Sequence, residues 1–424
     1  MKHQTPRGAN DILPVSREPW LESWRWTALE KAFRDHVALY GYSEIRTPMF
    51  EDYDLFARSA GETTDIVSKE MYDFTDKGDR HIALRPELTA PAMRALIQHS
   101  LCATGTVTRL SYCGPIFRYE RPQKGRYRQA HQFGLELVGS PSVAADAEVI
   151  EVTVKFYQGL GISDATARIS SLGREECRSA FRRAIVNHAQ SWLASQPQEI
   201  AEKTLKNPLR LLDSKDPDTQ AALVGLPPVT DFLEDESKQR FEGLQELLAA
   251  AGVPFEVDTS IVRGLDYYTE TVFEIHSPNI GAQSALCGGG RYDDLIKDLG
   301  GPNLPSVGVG MGIERCLLVM EATGLLKGEK CFDVFVVQAA PQVFDTVRAV
   351  AAELRDAGIG AIIDPDQKSM KSQMGQASRS GAKLAIIVKE EEIHQGVVTV
   401  RRLADGEQAT LPMRELIAEV KSWL

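Results

Sequence analysis

Between positions 18 and 39 the apolar residues Trp20, Leu21, Trp24, Ala28, Leu29, Ala32 and Val37 recur at steps near three and four, and Gly41 stands where a helix would stop. This spacing predicts a long helix with one packed face. The next run, YSEIRTPMF, alternates polar and apolar residues as far as Pro48, which suits an edge strand because proline cannot donate to a β-ladder. Strand-like runs follow at HIALR, VTRLSYCG, IFRYE and HQFGLELVG, with a helical pattern in LTAPAMRALIQHSL after the first of them. Strands that succeed one another without regular crossover helices predict an antiparallel sheet with helices packed on it, an α+β arrangement.

From Arg174 to about Gly252 the pattern turns helical, in charged segments such as REECRSAFRRAIVNHAQSWLA and DESKQRFEGLQELLAAAG. Strand periodicity then returns in FEVDTSIVRGLDYYTETVFEIH and LPSVGVGMGIERCLLVME. The first domain is therefore expected to be discontinuous, with residues 1–173 and 256–325 flanking a helical insertion at 174–255. After the linker GLLKGEK, residues 331–424 alternate. FDVFVVQ reads as a strand, and PQVFDTVRAVAAELRDAG as a helix with Val343, Val347, Val350 and Leu354 on one face and Gly358 at its end. IGAIID, a helix through Met370, Met374 and Ala377, KLAIIVK, VVTVRR and a terminal helix complete a β-α-β-α-β-β-α order. That order predicts a small α/β domain with a mainly parallel sheet.

Composition narrows the class. The chain has 424 residues, 43% hydrophobic and 25% charged, which is ordinary for a globular protein of several domains. No stretch approaches the ~18 apolar residues of a membrane span, and MKHQTPRGANDILP lacks the apolar core of a signal peptide, so a soluble, cytoplasmic protein is expected. Six scattered cysteines without a CxxC pair, and eight histidines without HExxH, argue against structural disulfides and a structural zinc. A net charge of −11 excludes a protein that coats nucleic acid through many phosphate contacts. It leaves room for a local basic site, and one exists: Arg118, Arg121, Lys124, Arg126 and Arg128 stand against the single anion Glu120.

That basic site lies in FRYERPQKGRYRQAHQFGLELVG, where two strand-like flanks bracket a loop with Pro122 and Gly125, so the segment reads as a hairpin. The period of two places Arg118 with Glu120, and Gln132 with Glu136, on one face. Charged side chains facing inward from a half-buried sheet are costly unless they meet ligand charge or each other; a surface hairpin laced with ion pairs is the plainer alternative. In SVGVGMGIERCLLVM, Gly308, Gly310 and Gly312 strip one face of a strand, against which a flat ligand such as a nucleotide base, or simply a packed helix, could lie. The spacing does not fit a dinucleotide-binding GxGxxG. LRPELTA contributes Arg85, Glu87 and Thr89, SIVRGLDYYTETVFEIH contributes Arg263, Asp266, Tyr267 and Tyr268, and CGGGRYD adds a glycine run beside Tyr292.

These five motifs, in their chain order with FRYERPQKGRYRQAHQ between RPELT and RGLDYY and GVGMGIER last, closely resemble the histidyl-tRNA synthetases, a family of class II aminoacyl-tRNA synthetases, and the resemblance runs from TPRGANDILP to the final α/β domain. FRYERPQKGRYRQ resembles the family's motif 2, GVGMGIER its motif 3, and YSEIRTPMFE its dimer-forming motif 1. RGLDYYT is the most specific. One position departs: the family pattern has glycine then threonine after Arg-Pro-Glu, and Leu88 occupies the glycine position here.

The resemblance implies an antiparallel catalytic sheet that joins L-histidine to ATP and then transfers histidine to the 3′ end of tRNA(His), with Mg²⁺ accompanying ATP and a homodimer as the working form. By the same resemblance Arg118 and Arg263 are the catalytic arginines at the α-phosphate, and Glu120, Arg126, Gly310 and Arg315 join Arg118 in binding ATP. Glu87, Thr89, Gln132, Glu136, Arg263, Tyr267 and Tyr268 bind histidine, and Arg121, Gln123 and Arg128 meet the tRNA acceptor end. The insertion is implied to touch the acceptor stem and residues 331–424 to bind the anticodon. That last domain is not basic, with 11 Lys/Arg against 13 Asp/Glu from Phe332 onward, so its contacts must be local. A regulatory subunit of ATP phosphoribosyltransferase, which shares the fold without the reaction, is opposed by the retained arginines and by the C-terminal domain.

Overall fold

Alternation at a period of two gives the central sheet two unlike faces. The computed structural model describes residues 3–61, 64, 66–123, 125–212, 214, 216–261, 267–277, 285–326 and 332–424, and divides into two compact units, Met1–Leu326 and Lys327–Leu424. In the first unit the strands are β1 (Ser43–Glu44), β2 (Phe50–Asp52), β3 (Tyr72–Thr75), β4 (His81–Leu84), β5 (Thr108–Phe117), β6 (Gln129–Val138), β7 (Thr166–Ser171), β8 (Phe255–Val257), β9 (Thr269–His276), β10 (Ala285–Arg291) and β11 (Ser306–Gly312). Eight of them form one sheet in the order β1-β5-β6-β11-β10-β9-β7-β8, antiparallel except for the outer pairs β1/β5 and β7/β8. The remaining three, β2-β4-β3, make a small separate sheet.

Phe133, Leu135 and Leu137 of β6, Val307, Val309 and Met311 of β11, and Phe273 and Ile275 of β9 form one buried cluster with residues of the Ser23–Ala38, Val143–Gly159 and Ile313–Ala322 helices. Their neighbours in sequence, turned to the opposite face, are small or polar: Gln132, Gly134, Glu136, Gly308 and Gly310. The expected helix at 18–39 is present as a 3-10 turn, Pro19–Leu21, followed by Ser23–Ala38.

Two strand expectations need correction. YSEIRTPMF is not one strand: Ser43–Glu44 pairs parallel with β5, Phe50–Asp52 belongs to the small sheet, and Pro48 separates them. VTRLSYCG and IFRYE are not two strands either, because β5 runs unbroken through Pro115. Proline is tolerated there because its nitrogen lies on the side of Phe117 N–H, which turns away from β6 and donates to Arg85 O. Arg118 and Glu120 then lie past the strand end, so their shared face comes from the loop rather than from strand periodicity.

The insertion consists of helices, among them Glu175–His188 and Asp235–Ala250. Its apolar residues Phe181, Ile185, Leu211 and Val229 pack with Leu172, Ile261 and Val272 of the sheet side. A wholly buried ion pair ties the two further: Arg291, at the end of β10, donates to both oxygens of Asp146, and Arg240 of the Asp235–Ala250 helix reaches the same carboxylate.

In the second unit the strands are β12 (Phe332–Gln338), β13 (Ala361–Ile363), β14 (Ala382–Val388), β15 (Val397–Arg402) and β16 (Gln408–Pro412), in the order β13-β12-β14-β15-β16. The sheet is mixed rather than mainly parallel: β13, β12 and β14 are parallel, and β15 and β16 run antiparallel. Periodicity missed β16 because its sequence, QATLP, carries little apolar signal and lies at an edge. Separate apolar clusters cover the two faces, one through Val334, Val336 and Leu384, the other through Phe335, Val337 and Ala385.

Candidate active site

The polar face of the eight-stranded sheet opens into a cavity of about 810 Å³. Its floor is glycine. Gly134 of β6, Gly310 of β11 and Gly288 of β10 stand side by side in register. Each glycine answers to a different neighbour. A Cβ on Gly134 would lie 2.0 Å from the Tyr112 ring, and one on Gly308 would lie 1.8 Å from Glu136 Oε2 and 2.6 Å from Leu135 O. Gly310 differs: the nearest atom to a Cβ there is the Gln132 amide at 3.6 Å, so its missing side chain leaves open floor.

One end of the cavity is cationic. Arg118, Arg126 and Arg315 line it, with the Glu120 carboxylate 3.8 Å from Arg118 and 3.7 Å from Arg126. The hairpin between β5 and β6 places them: Arg118 N–H donates to Arg128 O, and Gly125, at φ +79°, turns the tip so that Arg126 comes back toward the sheet. Arg118 Nε donates to Pro86 O at 2.8 Å, and Arg315 donates to Ala285 O at 2.7 Å. Burial, and then the nearby charge of Arg126, pull Arg315 below the ordinary arginine range. Guanidinium groups held together against their own repulsion suit an anion that bridges them, and their planar forks match phosphate oxygens.

The other end is built on carboxyl groups and tyrosine rings. Glu136 is fully buried under the floor and receives the Tyr112 hydroxyl at 2.7 Å on one oxygen and the Tyr292 hydroxyl on the other. Burial, partly offset by the Tyr112 hydrogen bond, pushes its carboxyl up to about 8. A carboxyl poised there can give its proton to a ring nitrogen or accept from a ring N–H. Glu87, raised by burial despite its bonds, accepts from Ala90 N and Thr89 N at the start of the Thr89–Gln98 helix. Each of its oxygens keeps a second lone pair. Thr89 Oγ1 lies 3.3 Å from the Tyr112 hydroxyl, and Tyr267, Tyr268 and Tyr292 pack ring against ring.

The cavity thus gathers Glu87, Thr89, Arg118, Glu120, Arg126, Gln132, Tyr267, Tyr268, Gly310 and Arg315, with Glu136 directly beneath. It does not gather Arg121 and Gln123, which are exposed at the hairpin tip, nor Arg128, whose guanidinium stacks 3.8 Å over the Tyr119 ring. Arg263, Asp266 and Lys124 lie outside the described residues. Arg85 is turned away from the cavity and braces Thr47, Pro48 and Pro115 through its guanidinium. Leu88 has φ −112° and packs in the core, so no glycine is needed at that position.

Sequence reasoning missed the wall that the insertion supplies: Arg178, Arg182, Asn207, Leu209 and Ser214 line the same cavity. The signal was the polar punctuation in NPLRLLDSK, which a helical periodicity cannot explain. Glu274 of β9, which also lines the cavity, was missed as well. Among the described residues no three His, Cys, Asp or Glu side chains cluster as a metal site, and no helix is long and apolar enough to cross a membrane.

Comparison with known proteins shows the family. The family model for histidyl-tRNA synthetase matches residues 11–316, and that for an anticodon-binding domain matches residues 333–423. A histidine–tRNA ligase from Symbiobacterium thermophilum is 42% identical over 99% of both chains, and one from Moorella thermoacetica is 45% identical over 97% of this chain and 96% of its own. Among solved structures, the apo histidyl-tRNA synthetase of S. aureus superposes with a TM-score of 0.82 at 35% identity, covering 99% of this chain and 100% of that one.

Proposed function

Because the chain belongs to the histidyl-tRNA synthetase family, we propose that its cavity takes histidine at the Glu136 end and the phosphates of ATP at the arginine end. The enzyme activates L-histidine with ATP, giving histidyl-adenylate and pyrophosphate, and then transfers histidine to the 3′ end of tRNA(His). Each step falls to particular side chains.

In the first step a histidine carboxylate oxygen attacks the α-phosphorus, and the bond from that phosphorus to the bridging oxygen of pyrophosphate breaks. No protein nucleophile is required. Arg118 and Arg263 hold the α-phosphate in line and offset the charge that grows on its oxygens; Arg126 and Arg315 hold the departing pyrophosphate. The adenine ring lies over Gly310, where the floor lacks a side chain, and Glu120 holds Arg118 and Arg126 toward the phosphates. Glu87, Thr89 and Gln132 accept from the substrate ammonium. Glu136 and Tyr268 engage the imidazole nitrogens, while Tyr267 closes the pocket. An apolar amino acid would leave these buried groups unpaired, which rejects it by a factor of about 10⁴.

Mg²⁺ would accompany ATP, with the Glu274 carboxylate on the cavity wall as the protein oxygen that would help hold it, and would supply charge neutralisation at the leaving phosphates. In the second step the terminal ribose hydroxyl of tRNA attacks the activated carbonyl and AMP leaves. Arg121, Gln123 and Arg128 of the hairpin meet the acceptor end, the insertion at 174–255 meets the acceptor stem, and residues 331–424 meet the anticodon. Exposed Met49 and Phe50 beside Pro48 support a homodimer built on that segment, in a cytoplasmic enzyme.

The observation that carries this reading is the polarity of one cavity, three guanidiniums at one end and a tyrosine-bound buried carboxyl at the other. The test is exchange of pyrophosphate into ATP, run on protein whose sedimentation is followed in the same buffer. Exchange that depends on histidine, by a dimer, is expected. No exchange despite histidine binding would reduce the chain to a histidine sensor, and an active monomer at micromolar concentration would remove the dimer.

A further inference from the structure

We infer that Arg178 is a positioning residue for the amino-acid end of the cavity, holding the Tyr268 backbone from the insertion; this rests on the proposed placement of histidine against Tyr268. Arg178 lies one turn into the Glu175–His188 helix, and its side chain is only 11% exposed. Its Nη1 donates to Tyr268 O at 2.5 Å and its Nη2 meets Glu175 Oε2 at 2.9 Å. Glu175 is itself fixed, by Ser179 Oγ at 2.8 Å and Arg182 Nη1 at 2.9 Å.

The grip has a cost that a surface ion pair would not carry. Arg178 Nε is buried without a hydrogen-bond partner among the described residues, although the guanidinium has five donors to place. The side chain keeps its pairing with Glu175 and is nonetheless drawn inward to a backbone carbonyl at the point where the chain enters β9.

That carbonyl matters because it belongs to the residue whose ring builds the pocket wall. The Tyr268 ring packs over Gly290, where a Cβ would come within 2.9 Å of it, and lies 4.7 Å from the Tyr267 ring and 6.4 Å from the Tyr292 ring. Tyr292 in turn donates to Glu136. Displacing the Tyr268 backbone therefore disturbs the tyrosine wall and the carboxyl that the wall orients. The arginine end is not reached by this chain of contacts, since Arg118 and Arg126 hang from the β5–β6 hairpin and Arg315 from the helix after β11.

The experiment compares Arg178→Ala, Arg178→Lys and, as a control, Arg183→Ala, whose side chain is exposed on the same helix. Steady-state pyrophosphate exchange is measured against histidine and against ATP. Loss of a charge-assisted hydrogen bond predicts a histidine KM raised about tenfold or more in Arg178→Ala, with ATP KM within about twofold of wild type. Arg178→Lys should recover part of the loss, and Arg183→Ala should match wild type. An unchanged histidine KM, an equal rise in both KM values, or a fall in kcat alone would overturn the assignment. Should Arg178→Ala fail to melt cooperatively, Arg178→Lys decides by the same split, since lysine keeps the charge and loses the fork. Absence of histidine-dependent exchange in the wild type would instead sink the functional reading, which keeps the two failures apart.

Discussion

Glu136 is fully buried, far from the environment a carboxyl has in an unfolded chain. Replacing it by glutamine keeps the volume and both tyrosine contacts within reach but substitutes an amide, which cannot give up or take a proton, for a carboxyl that can. We expect Glu136→Gln to raise histidine KM about tenfold or more and to leave ATP KM nearly unchanged; if both rise together, the residue shapes the whole site rather than one pocket. A pH dependence arises from the same carboxyl. Folded Glu136 holds its proton up to about 8, against about 4.3 for an unfolded glutamate. Its stabilising contribution is therefore complete below the lower value and is lost as pH rises through the higher. Melting temperatures of ligand-free wild type and Glu136→Gln, measured from acid to alkaline pH, should shift against the wild type across that window and run parallel above it. Parallel curves throughout would mean an ordinary carboxyl. The identity of this residue as a candidate was legible, because a glutamate on the small-residue face of a strand has few bland explanations. Its two tyrosine partners were not, since Tyr112 comes from the neighbouring strand and Tyr292 from the end of β10, and a single sequence carries no record of which strands become neighbours.

The alternating glycines of β11 read the same way in sequence but separate in the structure. Ala at position 308 would drive its methyl into Glu136 and the Leu135 carbonyl, of which the second is backbone and cannot yield. Ala at 310 meets only ordinary contact with Gln132. We expect Gly308→Ala to cost about 1–3 kcal/mol of stability through overpacking. Gly310→Ala should melt with the wild type yet raise ATP KM, because the methyl occupies the floor proposed for adenine. Equal melting temperatures and equal ATP KM for the two variants would contradict both assignments. The strand and its two faces were readable from GVGMG because Val309 and Met311 mark the buried side. The extent of β5 was misread at Pro115, since which edge of a strand carries a partner is decided by chain segments far away, here Arg85. The hairpin was legible, and Arg118 and Arg126, read as ATP-binding, line the cavity; the stacking of Arg128 on Tyr119 is a tertiary choice that the sequence does not show. The insertion's helices were also legible; their reach into the cavity was not, because amphipathicity reports that a face is buried and not what buries it.

At the scale of the whole chain, each unit has its own apolar interior, and all the proposed catalytic residues precede Leu317. Truncation after Glu329 should leave histidine-dependent exchange at a measurable fraction while charging of tRNA falls much further, because charging alone needs the RNA held at both ends. Equal loss of both activities would mean that the second unit supports the first, and unimpaired charging would remove its assignment to the anticodon. The register of the central sheet also bears on how the chain is made. Gln132 of β6 pairs with Gly312 of β11, and the whole insertion is synthesised between them. Until β11 leaves the ribosome, β6 has an open edge beside β5, with Phe133, Leu135 and Leu137 lacking the strand that completes their cover. Such distant pairing is slow to form, and an unpaired apolar edge is a template for the wrong partner. A nascent chain stalled before Ser306 would thus be a substrate for chaperones and proteases, and a nonsense product ending in the insertion would be cleared rather than accumulate as a soluble half-enzyme.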